Sequence, residues 1–177
     1  NMFKMCKKMT TYPLFDFSSV TSADNMFMNN SALVSIPQFN TSKLEDAYGM
    51  FYGDSVLETV PELDFSNVVK IQDMFSSAKK LTNLGGFKNL GKKFTQKSQN
   101  YSNYTLKLSS STVITYESLL NVLNNLYDLN LSYKVAEGGT LYRQKVEIGS
   151  TNLAKLQATE EGLTALEAAN AKGWNIV

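Results

Sequence analysis

The residue that most often acts as a general base or metal ligand near neutral pH is histidine, and this chain of 177 residues contains none. Its single cysteine, Cys6, has no second thiol to pair with, no CxxC partner and no histidine to draw off its proton, so it reads as a small filler side chain. The chemistry left open is that of paired carboxylates or a serine–lysine pair. Glu160 and Glu161 are adjacent, so they diverge around a helix and are better explained as acids of its first turn. Asp16, Asp64 and Asp73 follow a spacing that many other residues share, which ties them to structure rather than to a local acid–base pair. No dinucleotide fingerprint, phosphate loop or zinc spacing occurs. The expectation is a protein that is not an enzyme and has no cofactor or metal; an enzyme is the reading of least weight.

Charge narrows the partner. Lysine and arginine number 17, aspartate and glutamate 16, and the net charge is +1, which gives no footprint for nucleic acid or an anionic membrane. Lys4, Lys7 and Lys8, and then Lys88, Lys92, Lys93 and Lys97, form two mild clusters that read as solvated lysines on turns, with an anion site as the alternative. No apolar run is long enough for a membrane-spanning helix. The opening lies inside a repeat, so the sequence is expected to be a processed or trimmed piece, with any targeting signal missing.

The repeat is the strongest pattern in the chain. Asn1-Met2-Phe3 recurs as Asn25-Met26-Phe27, and the pair again as Met50-Phe51 and Met74-Phe75, in steps of 24 residues. Met9, Leu33, Leu57 and Leu81 keep the same step, as do Tyr12, Ile36, Val60 and Leu84, and Phe15, Phe39, Leu63 and Phe87. Pro13, Pro37 and Pro61 align, with Gly85 in the fourth copy. A unit of this size cannot bury its own apolar side, so neighbours must cover one another. Proline has no amide hydrogen for a sheet ladder, so one very short strand per unit is expected, near residues 9–12, 33–36, 57–60 and 81–84. The Met-Phe segments are expected to make tight or irregular turns, each placing a phenylalanine in the core. Asp16, Asn40 and Asp64, two residues ahead of Ser18, Ser42 and Ser66, read as turn residues that bond nearby backbone, with a calcium ladder as the alternative.

The repeat fades at Gly85-Gly86. A strand is expected at Tyr104–Leu108, then a helix from an N-cap at Thr115 to near Leu129. Residues 130–142 read as an extended loop. Val146 and Ile148 alternate as a strand, and Thr159-Glu160-Glu161 opens a second helix that Lys172-Gly173 stops, before a last strand at 175–177. The expected fold class is α/β, a leucine-rich-repeat-like solenoid forming a partial horseshoe, with short strands, irregular or short-helical turns and two larger strand–helix coils at its end. Residues 1–90 hold three full repeats and a partial fourth, and 91–177 form a capping region continuous with them; a separate α/β domain after a linker at 91–101 is the alternative.

Asn25-Met26-Phe27, Leu33-Val34-Ser35-Ile36-Pro37, Phe39-Asn40-Thr41-Ser42-Lys43-Leu44 and Leu63-Asp64-Phe65-Ser66-Asn67-Val68 resemble the blocks of BspA-like leucine-rich repeats of bacterial surface proteins, and residues 117–126, 149–156 and 172–174 resemble the usual end of such proteins in gut bacteria. The likeness departs at residues 45–49, where the small polar block before Met-Phe is altered, and in lacking the cysteine often found after Met-Phe, except at Cys6. The resemblance implies secretion or display at a bacterial surface and, for some members, adhesion to host extracellular-matrix or cell-surface proteins.

These readings move the functional question from a pocket to a surface. The positions most free to vary between core columns are Thr10 and Thr11, Val34 and Ser35, Glu58 and Thr59, and Thr82 and Asn83. Tyr48, Tyr52, Tyr101 and Tyr104 are candidate aromatic contacts. The function expected is a monomeric, non-catalytic module that binds a protein along an extended face; a spacer within a larger surface protein is the alternative. The Asn-x-Ser/Thr sequons at Asn40, Asn103 and Asn130 carry no functional weight.

Overall fold

Two positions in each repeat adopt the left-handed backbone region, and the residue types there explain how each Met-Phe segment turns. The first column holds Asn25 (φ 48°), Gly49 (φ 54°) and Asp73 (φ 57°); the second holds Met5 (φ 62°), Asn29 (φ 61°), Gly53 (φ 77°) and Ser77 (φ 70°). Glycine, asparagine and aspartate reach this region at least cost. In the third unit both positions are glycine for a second reason: a Cβ on Gly49 would overlap Asn25 Oδ1, and one on Gly53 would overlap Asn29 Oδ1. The asparagines of one unit therefore lie against the glycines of the next. Gly49, one of the two, closes the altered block at residues 45–49. The computed structural model describes residues 2–94, 104–132 and 144–177.

The turns stack through their backbones. Phe27, Asn29 and Asn25 donate N–H bonds of 3.0, 2.8 and 2.9 Å to the carbonyls of Met50, Tyr52 and Tyr48, and Gly49, Phe51 and Gly53 repeat this onto Gln72, Met74 and Ser76. Each turn points its phenylalanine inward. Phe3, Phe27, Phe51 and Phe75 form a column of near-parallel rings with centroids 5.7, 5.5 and 5.5 Å apart. Offset stacking of this kind adds about 0.5–1.5 kcal/mol per pair beyond burial. Leu33, Leu57 and Leu81 fill the next column, and one apolar cluster runs from Tyr12 to Trp174.

Four two-residue strands follow: β1 (Thr59–Val60), β2 (Leu63–Asp64), β3 (Asn83–Leu84) and β4 (Phe87–Lys88). β1 pairs with β3 and β2 with β4, both parallel, with Thr59 opposite Asn83 and Leu63 opposite Phe87. Single parallel bridges join Ser22 to Asp46, Ser35 to Thr59 and Asp46 to Lys70. Among the described residues these make two separate two-stranded sheets, with one three-stranded sheet further on. The partial horseshoe and the leucine-rich-repeat solenoid are thereby corrected: the sheets are small and open, with no continuous curved sheet. The physical reason sits between β1 and β2. In the third unit Pro61 separates the two short pairings, because it cannot donate to a ladder. Residues 9–12 and 33–36, expected as strands, supply only the bridge at Ser35.

The second half begins with β5 (Leu106–Lys107) and α1 (Tyr116–Asn124), whose N-cap Thr115 accepts from Ser118 N–H. The helix stops short of Leu129, because Leu126 bridges to Leu90 and Tyr127 N–H donates to the Leu90 carbonyl at 2.9 Å. A one-turn helix, α2, spans Leu129–Ser132. β6 (Gln144–Glu147), α3 (Ser150–Gln157), α4 (Glu160–Ala171) and β7 (Trp174–Ile176) complete the chain, with the three strands ordered β5-β6-β7 and all parallel. The sequence reading assigned no helix to the residues of α3, since Leu153 and Leu156 are the only large apolar residues in it. Lys172 caps α4, and Gly173 follows at φ 91°. Trp174 is buried, with its ring 6.0 Å from that of Phe94 and its Nε1 donating to the Tyr127 carbonyl at 2.8 Å.

The two halves are joined by polar bonds as well as by core. Leu84 N–H donates to Ser118 Oγ at 2.9 Å, and Thr115 N–H donates to the Thr82 carbonyl at 3.0 Å.

Candidate binding surface

The four residue pairs between the core columns are brought into one row, and the backbone does it. Val34 and Ser35 N–H both donate to the Thr10 carbonyl, Glu58 and Thr59 N–H to Val34, and Thr82 and Asn83 N–H to Glu58, at 2.8–3.4 Å. Thr115 N–H extends the row onto Thr82. Thr10, Thr11, Val34, Glu58 and Asn83 are exposed, while Ser35, Thr59 and Thr82 are half-buried. Along its length the row presents hydroxyls, one valine, one carboxylate and one amide. Its backbone is fixed by inter-unit hydrogen bonds, so side chains can change with little effect on the core.

The tyrosines divide. Tyr48 and Tyr52 are each 37% exposed on one turn, on either side of the buried Met50 and Phe51. Tyr104 packs its ring 4.7 Å from that of buried Phe94, so most of its face is spent on the core. Tyr101 lies outside the described residues. No described hydrogen bond or ring contact links Tyr48, Tyr52 or Tyr104 to the row.

The acids named in the sequence serve turns. Asp16 Oδ1 accepts from Ser18 N–H at 2.9 Å, Asn40 Oδ1 from Ser42 N–H at 3.2 Å and Asp64 Oδ1 from Ser66 N–H at 2.9 Å. The hydrogen bonds from Ser18 hold the Asp16 carboxyl below its usual range. Asp73 accepts from Ser76 Oγ at 3.1 Å. Glu160 and Glu161 open α4 behind the N-cap Thr159, and Tyr116 donates its hydroxyl to Glu161 Oε2 at 3.1 Å. These two acids line a shallow groove of about 660 Å³ between α1 and α4, together with Leu120, Asn124 and Thr164.

One arrangement escaped the sequence reading. Cys6, Asn30 and Asp54 occupy a single column at 24-residue spacing. Asn30 Oδ1 accepts from Cys6 N–H at 2.7 Å, and Asp54 Oδ1 accepts from Asn30 N–H at 2.7 Å. Asn30 Nδ2 also donates to the Tyr12 hydroxyl at 2.9 Å. Asn30 and Asp54 are both fully buried, and Asp54 Oδ2 has no hydrogen-bond partner among the described residues. Burial pushes the Asp54 carboxyl up to about 8 and the Tyr12 hydroxyl above its usual range. The signal that could have found the column was present: polar residues at 6, 30 and 54 just ahead of the apolar column at 9, 33 and 57. Its geometry is that of a structural ladder in which each side chain caps the backbone of the unit before it.

Compared with known proteins, residues 1–114 match the family described as Mycoplasma protein of unknown function, DUF285. No curated protein and no solved structure matches the chain. The family match corrects the BspA-like resemblance drawn from the Met-Phe and Leu-x-x-Ile-Pro blocks. Those blocks carry left-handed turn positions and a proline stop, which set how each unit closes. The leucine-rich-repeat, solenoid and adhesin descriptions fall with the resemblance. The match covers every repeat unit and β5, well over half of the sequence, and the chain belongs to the family described as Mycoplasma protein of unknown function, DUF285.

Proposed function

We propose that this chain is a non-catalytic module that binds a protein along the row formed by Thr10 and Thr11, Val34 and Ser35, Glu58 and Thr59, and Thr82 and Asn83. The observation that carries the reading is the backbone-bonded register of the row, which holds varied exposed side chains on a fixed spacing above a continuous core. A net charge of +1 supports a protein rather than a nucleic acid as the partner. Among the described residues no helix is long and apolar enough to cross a membrane. In this reading the chain acts as a monomer, outside the cell or at its surface, and host extracellular-matrix or cell-surface proteins are the first partners to screen.

The test is a binding screen against purified matrix and cell-surface proteins, repeated with a Val34→Asp, Glu58→Lys, Asn83→Asp variant. The proposal predicts a partner whose binding the triple variant weakens by about tenfold or more, which corresponds to about 1.4 kcal/mol, with the thermal midpoint unchanged. A partner that binds both forms equally would overturn the row as the interface. The unbroken inter-unit ladder supports a second reading, a spacer that holds other domains apart, and the absence of any partner would favour it.

A further inference from the structure

Each of the two longest helices has its own support. α1 and α4 bury four residues apiece, and each begins at a threonine whose hydroxyl accepts from an amide of the first turn. α3 has neither feature. Only Asn152 and Leu156 of its eight residues are buried, and its N-cap, Gly149, makes no side-chain capping bond. A helix this short does not persist in water unaided, so its contacts must hold it.

Two side chains tie α3 to the segment of residues 108–115 that joins β5 to α1. Asn152 Nδ2 donates to the Ser111 carbonyl at 2.7 Å and to the Ile148 carbonyl at 3.0 Å. Lys155 stands three residues on. Its Nζ donates to the Thr112 carbonyl at 2.9 Å, the Ile114 carbonyl at 2.6 Å and Asn152 Oδ1 at 3.1 Å. An ammonium has three protons to donate, and here it meets three acceptors. All three are neutral oxygens. The ion pairs among the described residues, Lys70 with Asp46 and Lys145 with Glu147, set a lysine against a carboxylate instead. The far side of the same segment is fixed to the repeats: Ser111 Oγ donates to the Ala78 carbonyl, and Thr115 N–H to the Thr82 carbonyl at 3.0 Å. The segment is therefore a fixed rail, anchored to the repeats on one side and gripped by α3 on the other.

We infer that α3 is a strap and the Lys155 ammonium its latch: α3 stays closed on the carbonyls of Thr112 and Ile114 while the ammonium is present, and opens locally when it is lost. Hydrogen bonds from an ionised donor are about twice as strong as neutral ones, so three from one cation outweigh what Asn152 contributes alone. Opening is confined to α3 because its neighbours are held by other means. β6 lies between β5 and β7 in the sheet, and α4 keeps its own cap and buried face. The latch works without a counter-charge, and none of its bonds involves the row of exposed pairs.

The experiment follows amide exchange of the full chain by NMR, with residues 153–157 of α3 as the reporter and α1 as the reference. Lys155→Met keeps an apolar stem and removes the ammonium. The expected result is exchange about tenfold faster or more at residues 153–157, with α1 unchanged. Lys155→Ala clears the stem as well. Propylammonium replaces the missing carbons and nitrogen and is expected to restore protection there, whereas tetramethylammonium, which has no N–H, is not. Unchanged exchange at residues 153–157 in Lys155→Met overturns the latch. A rise of the same size in α1 also overturns it, because the loosening is then general. Restoration by both cations, or by neither, overturns the role given to the N–H donors. The unsubstituted chain supplies a readout that no folding defect can obscure. The Lys155 ammonium protons are expected to exchange about tenfold more slowly than those of exposed Lys79 and Lys80, and equal rates overturn the inference.

Discussion

Replacing Asp54 with asparagine removes the one described carboxyl that is buried with an oxygen unpaired. In the folded chain this carboxyl is pushed up to about 8 by burial; in the unfolded chain it returns to 3.8. Between those two values the unfolded chain has released the proton and the folded chain has kept it. The unfolded state binds fewer protons there, so stability falls as pH rises, and it levels off only above the folded value. Each pH unit in that window is worth about 1.4 kcal/mol, so moving from pH 5 to pH 7 costs up to about 3 kcal/mol. Local opening and water entry reduce this, and an effect above about 1 kcal/mol is expected to survive. Asparagine does not titrate, and its Oδ1 can still accept from Asn30 N–H, as Asn30 Oδ1 already does from Cys6 N–H one unit earlier. Tyr12 and Cys6 are the other ionisable groups of this column. The Tyr12 hydroxyl, held above its usual range, stays neutral across the window. A Cys6→Ser background in both chains removes the thiol from the comparison. The assay is urea unfolding at pH 5, 6, 7 and 8 with and without Asp54→Asn. The expected result is a variant whose advantage grows steadily with pH. A difference that stays constant across the four pH values would refute the assignment of a buried, neutral carboxyl.

Phe51→Ala removes the central ring of a buried column and should cost about 3–5 kcal/mol, because its neighbours are held by backbone bonds and cannot collapse into the space. Phe3→Ala, at a ring that is only partly buried, should cost clearly less, and matched urea unfolding of both variants checks the order. Ser118→Ala leaves the buried Leu84 N–H without an acceptor and should cost about 1–3 kcal/mol in the same assay.

The 24-residue step was legible because each residue type in a column answers one local demand, and the step returns as pairing register in Thr59 opposite Asn83 and Leu63 opposite Phe87. Thr115 was legible as a cap, since a hydroxyl at that position has a free amide to accept from, and Thr159 was legible as the opening of the second helix, which it caps in the same way. What could not be read was how the pairings assemble into sheets. One short strand is expected to end ahead of Pro61, but Leu63–Asp64 beyond it form a second strand that pairs in a different sheet. The family was misread for a related reason: blocks built from turn and stop residues say how a unit closes, and less about the lineage of the unit. The row of pairs was legible as a by-product of the core columns. The Cys6–Asn30–Asp54 column was passed over because Asp54 reads as a surface acid until its burial is known.

The opposed hydrogen bonds on the two sides of the stack have an electrostatic consequence. Turn-side amides such as Phe27 and Asn29 point toward the following unit, and row-side amides such as Glu58 and Thr59 point toward the preceding one. In an α-helix every peptide dipole of about 3.5 D points the same way and the sum appears as partial charges at the two ends. Here the two sides run against each other, and their dipoles largely cancel within each unit. Lengthening the array by further units adds hydrogen bonds without building a field along its axis, so its ends require no compensating charge however many units it contains.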